Sequence, residues 1–140
     1  MGLAEDLNAA WNSHDPSKVA SFYVPDGVRE ELIVTHARLV GREAIAGQVA
    51  MYLHAMPDLA LSIRKSSSGD GVVTFEWMVN ATHRGDVEGW PAQGEAVAFP
   101  GVSVLDLAAD GQIVEERVYT DFTGLLAGAG LIPGLAAPTW

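Results

Sequence analysis

The sequence has no cysteine, which excludes disulfides, thiolate catalysis and any cysteine-ligated metal site. It is also short of positive charge. Eight Lys and Arg stand against 18 Asp and Glu, a formal net charge of −10. Such a field repels phosphate backbones and anionic bilayers, so neither nucleic acid nor a membrane is an expected partner. An unbroken apolar run is missing as well. The uncharged stretch from Phe122 to Trp140 is interrupted by Gly124, Gly128, Gly130, Pro133, Gly134 and Pro138. A helix broken that often would leave backbone groups unpaired in lipid. The N-terminus carries Glu5 and Asp6 and no basic segment, so no signal peptide is expected and a cytoplasmic location is the default. No Gly-x-Gly-x-x-Gly, His-Glu-x-x-His or Gly-x-Ser-x-Gly occurs, which removes the usual signatures of phosphate cradles, zinc proteases and serine hydrolases.

What is present is a chain of 140 residues, 49% hydrophobic and 19% charged, expected to form one domain over residues 1–140. At that size roughly 68–70% of the unfolded surface is buried on folding, enough for a core with a pocket in it. Leu3, Leu7 and Trp11 recur every four residues and predict a short helix. Asp15 before Pro16 predicts a helix start, with Asp15 as the cap rather than as half of a dyad with His14. Pro25-Asp26-Gly27 reads as the turn that ends this helix. From Val28 to Val40 the pattern is mixed and suggests two weak strands. Ile45, Val49, Leu53 and Met56 predict a longer helix that stops at Pro57. The second half reads as a meander of four strands: Leu59 to Ile63, Val72 to Thr82, Ala96 to Leu107 and Ile113 to Asp121. Ser66 to Gly71 reads as a turn cluster. Pro100-Gly101 predicts a bulge or bend, and Asp110-Gly111 a tight turn. Thr123 to Leu131 reads as a short, glycine-weakened helix. Helices and strands are segregated along the chain, which argues for an α+β fold.

Several short motifs occur in order along this pattern: Trp11-Asn12-Ser13-His14-Asp15, Gly41-Arg42-Glu43-Ala44-Ile45, Pro57-Asp58, Thr82-His83-Arg84-Gly85, Gly111-Gln112-Ile113 and, near the end of the last strand, Asp121. Together they resemble the SnoaL-like polyketide cyclase family of the NTF2-like superfamily. The resemblance implies a cone (a cystatin-like roll), in which a curved, mostly antiparallel sheet packs on N-terminal helices around a pocket. It also implies a small hydrophobic molecule as partner, a homodimer, and no metal or organic cofactor. In cyclases of this family an Asp matching Asp121 serves as acid and base, and a His matching His83 assists the substrate oxygen. Ala81 stands where those cyclases tend to carry an amide.

The residues themselves leave both chemical and structural readings open. A period of two through Ile113, Glu115, Arg117 and Tyr119 places Tyr119 and Asp121 on one face. A carboxylate at an apolar mouth loses solvation, which suits a general base, whereas an Asp before a helix entry is equally a cap. His83 shares parity with Trp77, Val79 and Ala81 and is expected in the pocket or at a strand end. A parity flip would instead bring in Asn80. Tyr23, Tyr52, Trp77, Trp90 and Tyr119 are candidate substrate-binding walls, with Trp90 as a lid; Tyr23, Tyr52, Trp77, Trp90 and Trp140 are equally core or rim aromatics. His36 and His54 have no ligand spacing. The function expected is acid–base chemistry by Asp121 and His83 on a hydrophobic, polycyclic-type carbonyl substrate, as an aldol cyclase or isomerase. The alternatives are a non-catalytic ligand-binding or dimeric module, or an epoxide-hydrolase-like enzyme. The last needs an Arg and two carboxylates around a water, for which the sequence offers Arg84, Asp86 and Asp121.

Overall fold

The structure is a computed structural model and describes residues 2–87 and 89–132. In chain order its elements are α1 (Leu3–Asn12), α2 (Pro16–Ala20), β1 (Tyr23–Glu31), β2 (Arg38–Val40), α3 (Arg42–Ala55), β3 (Ala60–Gly69), β4 (Val72–Thr82), β5 (Ala96–Leu107), β6 (Ile113–Thr120) and α4 (Thr123–Gly128). The strands form one open six-stranded sheet in the order β2-β1-β6-β5-β4-β3. All neighbours are antiparallel except β1 and β6, which are parallel. The helices α1 and α3 pack on the inner face of this sheet, and α4 packs on β5. This is the α+β, mostly antiparallel arrangement that the sequence pattern predicts.

Local chemistry accounts for the helix boundaries. The Asp15 carboxylate accepts from the amides of Ser17 and Lys18, with Pro16 at the first helical position of α2. In α3 the buried face is Ile45, Gln48, Val49, Tyr52 and Ala55, a helical stripe that carries two polar tips into the core.

Four sequence expectations change. Pro25-Asp26-Gly27 does not end a helix but lies inside β1, where the register against β6 shifts between Tyr23 and Val28. Ser66–Gly69 is strand, and the turn is confined to Asp70 and Gly71, both at positive φ. Pro100 causes no bulge: β4 and β5 pair without a break from Val72↔Asp106 to Thr82↔Ala96. The Pro100 carbonyl accepts from Asp121 N at 3.1 Å, so its ring nitrogen also faces the β6 side, just where β6 ends. The missing N–H therefore costs no bond to β4 and forfeits only a terminal one beyond the end of β6. The bulge occurs in β6 instead. Asp106 pairs with Glu115 and Leu107 with Ile113, which leaves Val114 as an extra residue.

That extra residue reverses the parity of everything after it. Ile113 faces the core, Val114 is exposed, and the buried positions become Glu116, Val118 and Thr120.

Candidate functional site

Inside the fold lies a cavity of about 50 Å³. Met56, Leu59, Phe75, Trp77, Phe99 and Phe122 form much of its apolar wall. Arg29, Glu31, Tyr52, Ser103, Glu116 and Thr120 supply its polar groups, with Trp11 beside them. The Trp77 indole donates to Ser103 Oγ at 3.1 Å and lies against Gly101, where a Cβ would come within 2.2 Å of the ring.

The polar groups form one buried cluster built from β1, β6 and α3. Arg29 and Glu31 are two apart on β1 and so share its inner face. Arg29 Nη1 donates to Glu31 Oε2 at 3.1 Å and to Gln48 Oε1, while Nε lies 3.3 Å from Glu116 Oε1. That Nε makes no hydrogen bond among the described residues. The guanidinium carbon stands 5.8 Å from the Trp11 ring centroid, a cation–π contact. Burial pulls the arginine toward deprotonation, but the carboxylates of Glu116 and Glu31 more than offset it, so its pKa lies above the ordinary value and the charge persists.

The two carboxylates are held differently. Glu31 is saturated: Tyr52 Oη donates to both its oxygens at 3.0 and 2.8 Å, Thr35 Oγ1 donates to Oε1 at 2.7 Å, and Arg29 holds Oε2. Glu116 is engaged on one side only. Tyr23 Oη donates to Oε1, and burial followed by the adjacent carboxylate raises the tyrosine pKa well above its ordinary value, so Tyr23 stays a donor. Oε2 of Glu116 has no hydrogen-bond partner among the described residues. The site thus presents an acceptor without a partner and a cationic donor side by side in an apolar cavity.

The residues expected from sequence divide sharply. Tyr52 and Trp77 line the cavity, and Tyr23 lies behind it, holding Glu116. Asp121 does not enter. The bulge at Val114 puts it on the outer face, exposed, with Oδ1 accepting from Thr123 N at 2.9 Å at the entry to α4. Tyr119 shares that outer face and is 40% exposed. Both line a separate outer hollow of about 430 Å³. His83 is fully buried as its parity predicts, but it does not line the cavity. Its Nδ1 is 3.2 Å from Glu95 Oε1, and its Nε2 has no partner among the described residues. Trp90 packs edge-on against Phe122, one layer behind the cavity wall, with ring centroids 5.4 Å apart. Asn80 is exposed, since no bulge in β4 or β5 flips it inward. Arg84 and Asp86 are exposed in the loop after β4, so the sequence-based Arg-and-carboxylate set does not assemble. Trp140 lies outside the described residues.

Arg29, Glu31 and Glu116 were not legible as a site, because charged pairs such as Glu30-Glu31 and Glu115-Glu116 read as solvated strand faces. One signal pointed to them: Gln48, one turn from Tyr52 on the apolar stripe of α3, is a polar residue that needs a buried partner. Among the described residues, no three His, Asp or Glu side chains are grouped as metal ligands would be. No described helix is long and apolar enough to cross a membrane.

An open mixed sheet with helices on its inner face and a cavity between them is the architecture of NTF2-like, ketosteroid isomerase-like proteins. Solved structures bear this out. AclR from Streptomyces galilaeus superposes with a TM-score of 0.81 at 26% identity, covering 95% of this chain and 85% of that one. TsrD from Streptomyces laurentii gives 0.79 at 19% identity over 93% of each chain. A protein with a ketosteroid isomerase-like fold from Catenulispora acidiphila gives 0.76 at 22% identity over 92% of each. No curated protein matches the chain. The model of the SnoaL-like polyketide cyclase family matches residues 3–128, and the chain belongs to that family.

Proposed function

We propose that this protein is a cofactor-independent acid–base enzyme acting on a small hydrophobic carbonyl compound, with Glu116 as general base and Arg29 as the donor to the substrate oxygen. The observation that carries this reading is Glu116 Oε2, unpartnered among the described residues, in an apolar cavity beside a guanidinium that keeps its charge. Glu116 takes the proton from a carbon next to the carbonyl, and the electron pair moves onto oxygen. The enolate is met by Arg29, which is preorganised by Glu31 and Gln48 and needs no reorientation as charge develops. Return of the proton at another carbon gives isomerisation; attack of the enolate on a second carbonyl gives aldol closure. The cavity limits the substrate. It is about 50 Å³, well under the roughly 150 Å³ apolar cavity that accepts benzene, so a carbonyl-bearing edge fits and a whole polycyclic skeleton does not without movement of the wall.

Deuterium exchange next to the carbonyl of cyclohexanone and 2-tetralone, followed by NMR, tests this. The protein accelerates exchange over a free carboxylate. Glu116→Gln loses ~10²–10⁴ of that rate, and Asp121→Asn keeps it within about twofold. An unchanged rate in Glu116→Gln, or a collapse in Asp121→Asn, rejects the assignment.

One observation favours a second reading. A single arginine between two carboxylates is also what epoxide hydrolysis asks for, with Glu116 activating a water. Incubation with cyclohexene oxide in ¹⁸O-water separates the two: label in a diol product supports hydrolysis, whereas exchange of carbon-bound hydrogen in the ketones supports the carbonyl reaction.

A further inference from the structure

We infer that Thr35 is a positioning residue for the reaction proposed above: its hydroxyl, delivered by a strained loop, clamps Glu31 and through Glu31 fixes the Arg29 guanidinium. The inference rests on the Glu116 and Arg29 reading and adds a residue outside the cavity to it.

Residues 32–37 join β1 to β2. Thr35 N donates to Ile33 O at 2.9 Å, closing a three-residue turn about Val34, whose φ is 70°. A γ-turn of this hand is rare, and a β-branched residue suits it poorly. His36 follows at φ 52°. Strained backbone of this kind persists only where other contacts over-determine it. Burial does not supply those contacts, since Ile33 and Val34 are each 46% exposed. Backbone bonds from Glu31 N to Ala37 O at 2.8 Å and from Leu32 N to Val118 O at 3.1 Å hold the ends of the loop, and the Thr35 hydroxyl on Glu31 Oε1 at 2.7 Å holds its tip.

The effect on the site follows from how Glu31 is shared. The groups facing it are Arg29 on β1, Tyr52 on α3 and Thr35, with Glu116 and Gln48 across the guanidinium. Oε2 takes Arg29 and the shorter Tyr52 bond, while Oε1 takes Thr35 and the longer one. Thr35 is thus the main restraint on Oε1. Without it the carboxylate can turn about its terminal bond, and the Arg29 Nη1 contact turns with it. Strain at Val34 and His36 is then the cost of bringing a hydroxyl back to the last residue of β1 within four residues.

Three variants test this: Thr35→Val, Thr35→Ser and Val34→Gly. Proton exchange of Arg29 Nε–H, read by NMR on the whole protein, needs no substrate. Thr35→Val speeds that exchange about tenfold or more, and lowers kcat for deuterium exchange into cyclohexanone about tenfold with KM within about twofold, as loss of a charge-assisted bond on a preorganised group predicts. Thr35→Ser restores both. Val34→Gly relieves the turn without touching the hydroxyl and keeps wild-type values. Wild-type Arg29 exchange in Thr35→Val, serine behaving as valine, or a loosened Arg29 with unchanged kcat each overturns the inference. Failure of the underlying reading shows separately, as a Glu116→Gln variant that still exchanges; the Arg29 signal alone then decides whether Thr35 is a clamp.

Discussion

Gly101 has no side chain because the Trp77 indole occupies the space a Cβ would need, with three ring carbons within 2.6 Å of it. The ring is fixed there by its bond to Ser103, and the cavity takes part of its shape from it. Gly101→Ala must push the indole toward the cavity. The expected outcome is a loss of ~1–3 kcal/mol, the usual cost of overpacking a core, with a shift in tryptophan fluorescence and weaker ketone binding. Denaturant unfolding and emission spectra check it; unchanged stability with an unchanged spectrum shows that the ring has room elsewhere. Single residues also mark how far the site could be read in advance. Tyr52 and Trp77 are bulky aromatics that must be buried somewhere, and they fall in the wall. Asp121 and Thr120 are neighbours whose roles depend on a one-residue offset, which no composition reveals.

The offset belongs to an element. Strand β6 carries the bulge at Val114, and the bulge decides that Glu116 rather than Glu115 enters the core. Period-two reading is reliable only between irregularities, and a Val among charged residues carries no mark of one. The motifs that reveal the family lie instead at element joints. Asn12 both donates to and accepts from the Leu61 backbone, at 2.8 and 2.7 Å, tying the end of α1 to β3. Asp58 accepts from both the amide and the hydroxyl of Thr82, each at 2.7 Å, tying the turn after α3 to the end of β4. Those two bonds hold the Asp58 carboxyl below its ordinary value. A group depressed in the folded state contributes stability that is present above its unfolded pKa, near 3.8, and lost as pH falls through the folded one. Wild type therefore exceeds Asp58→Asn in urea midpoint at pH 7, and the gap closes as pH drops below about 4. A gap independent of pH shows that the carboxylate charge is irrelevant to the clip.

For the whole molecule, the cluster around Arg29 joins side chains from elements far apart in sequence, with β1, α3 and β6 each contributing to it. Removing the cation alone leaves two buried carboxylates facing each other. Arg29→Met is expected to lose ~3–5 kcal/mol by urea unfolding, and adding Glu31→Gln and Glu116→Gln to recover part of it. A neutral Arg29→Met shows that the carboxylates take up protons or water without penalty. Much of the fold was legible beforehand, because helix periodicity, the Asp15 cap and strand alternation are local and each residue's preference acts over a few neighbours. The order of helices and strands and the family motifs are written in the linear chain, although the ends of β1 and β3 are not. Which charges lie together inside was decided only in three dimensions: Arg29, Gln48 and Glu116 are brought into contact by the parallel pairing of β1 with β6 and by one inserted residue. A buried charge is tolerated only where its partners already stand, and that is a property of the assembled fold rather than of any segment.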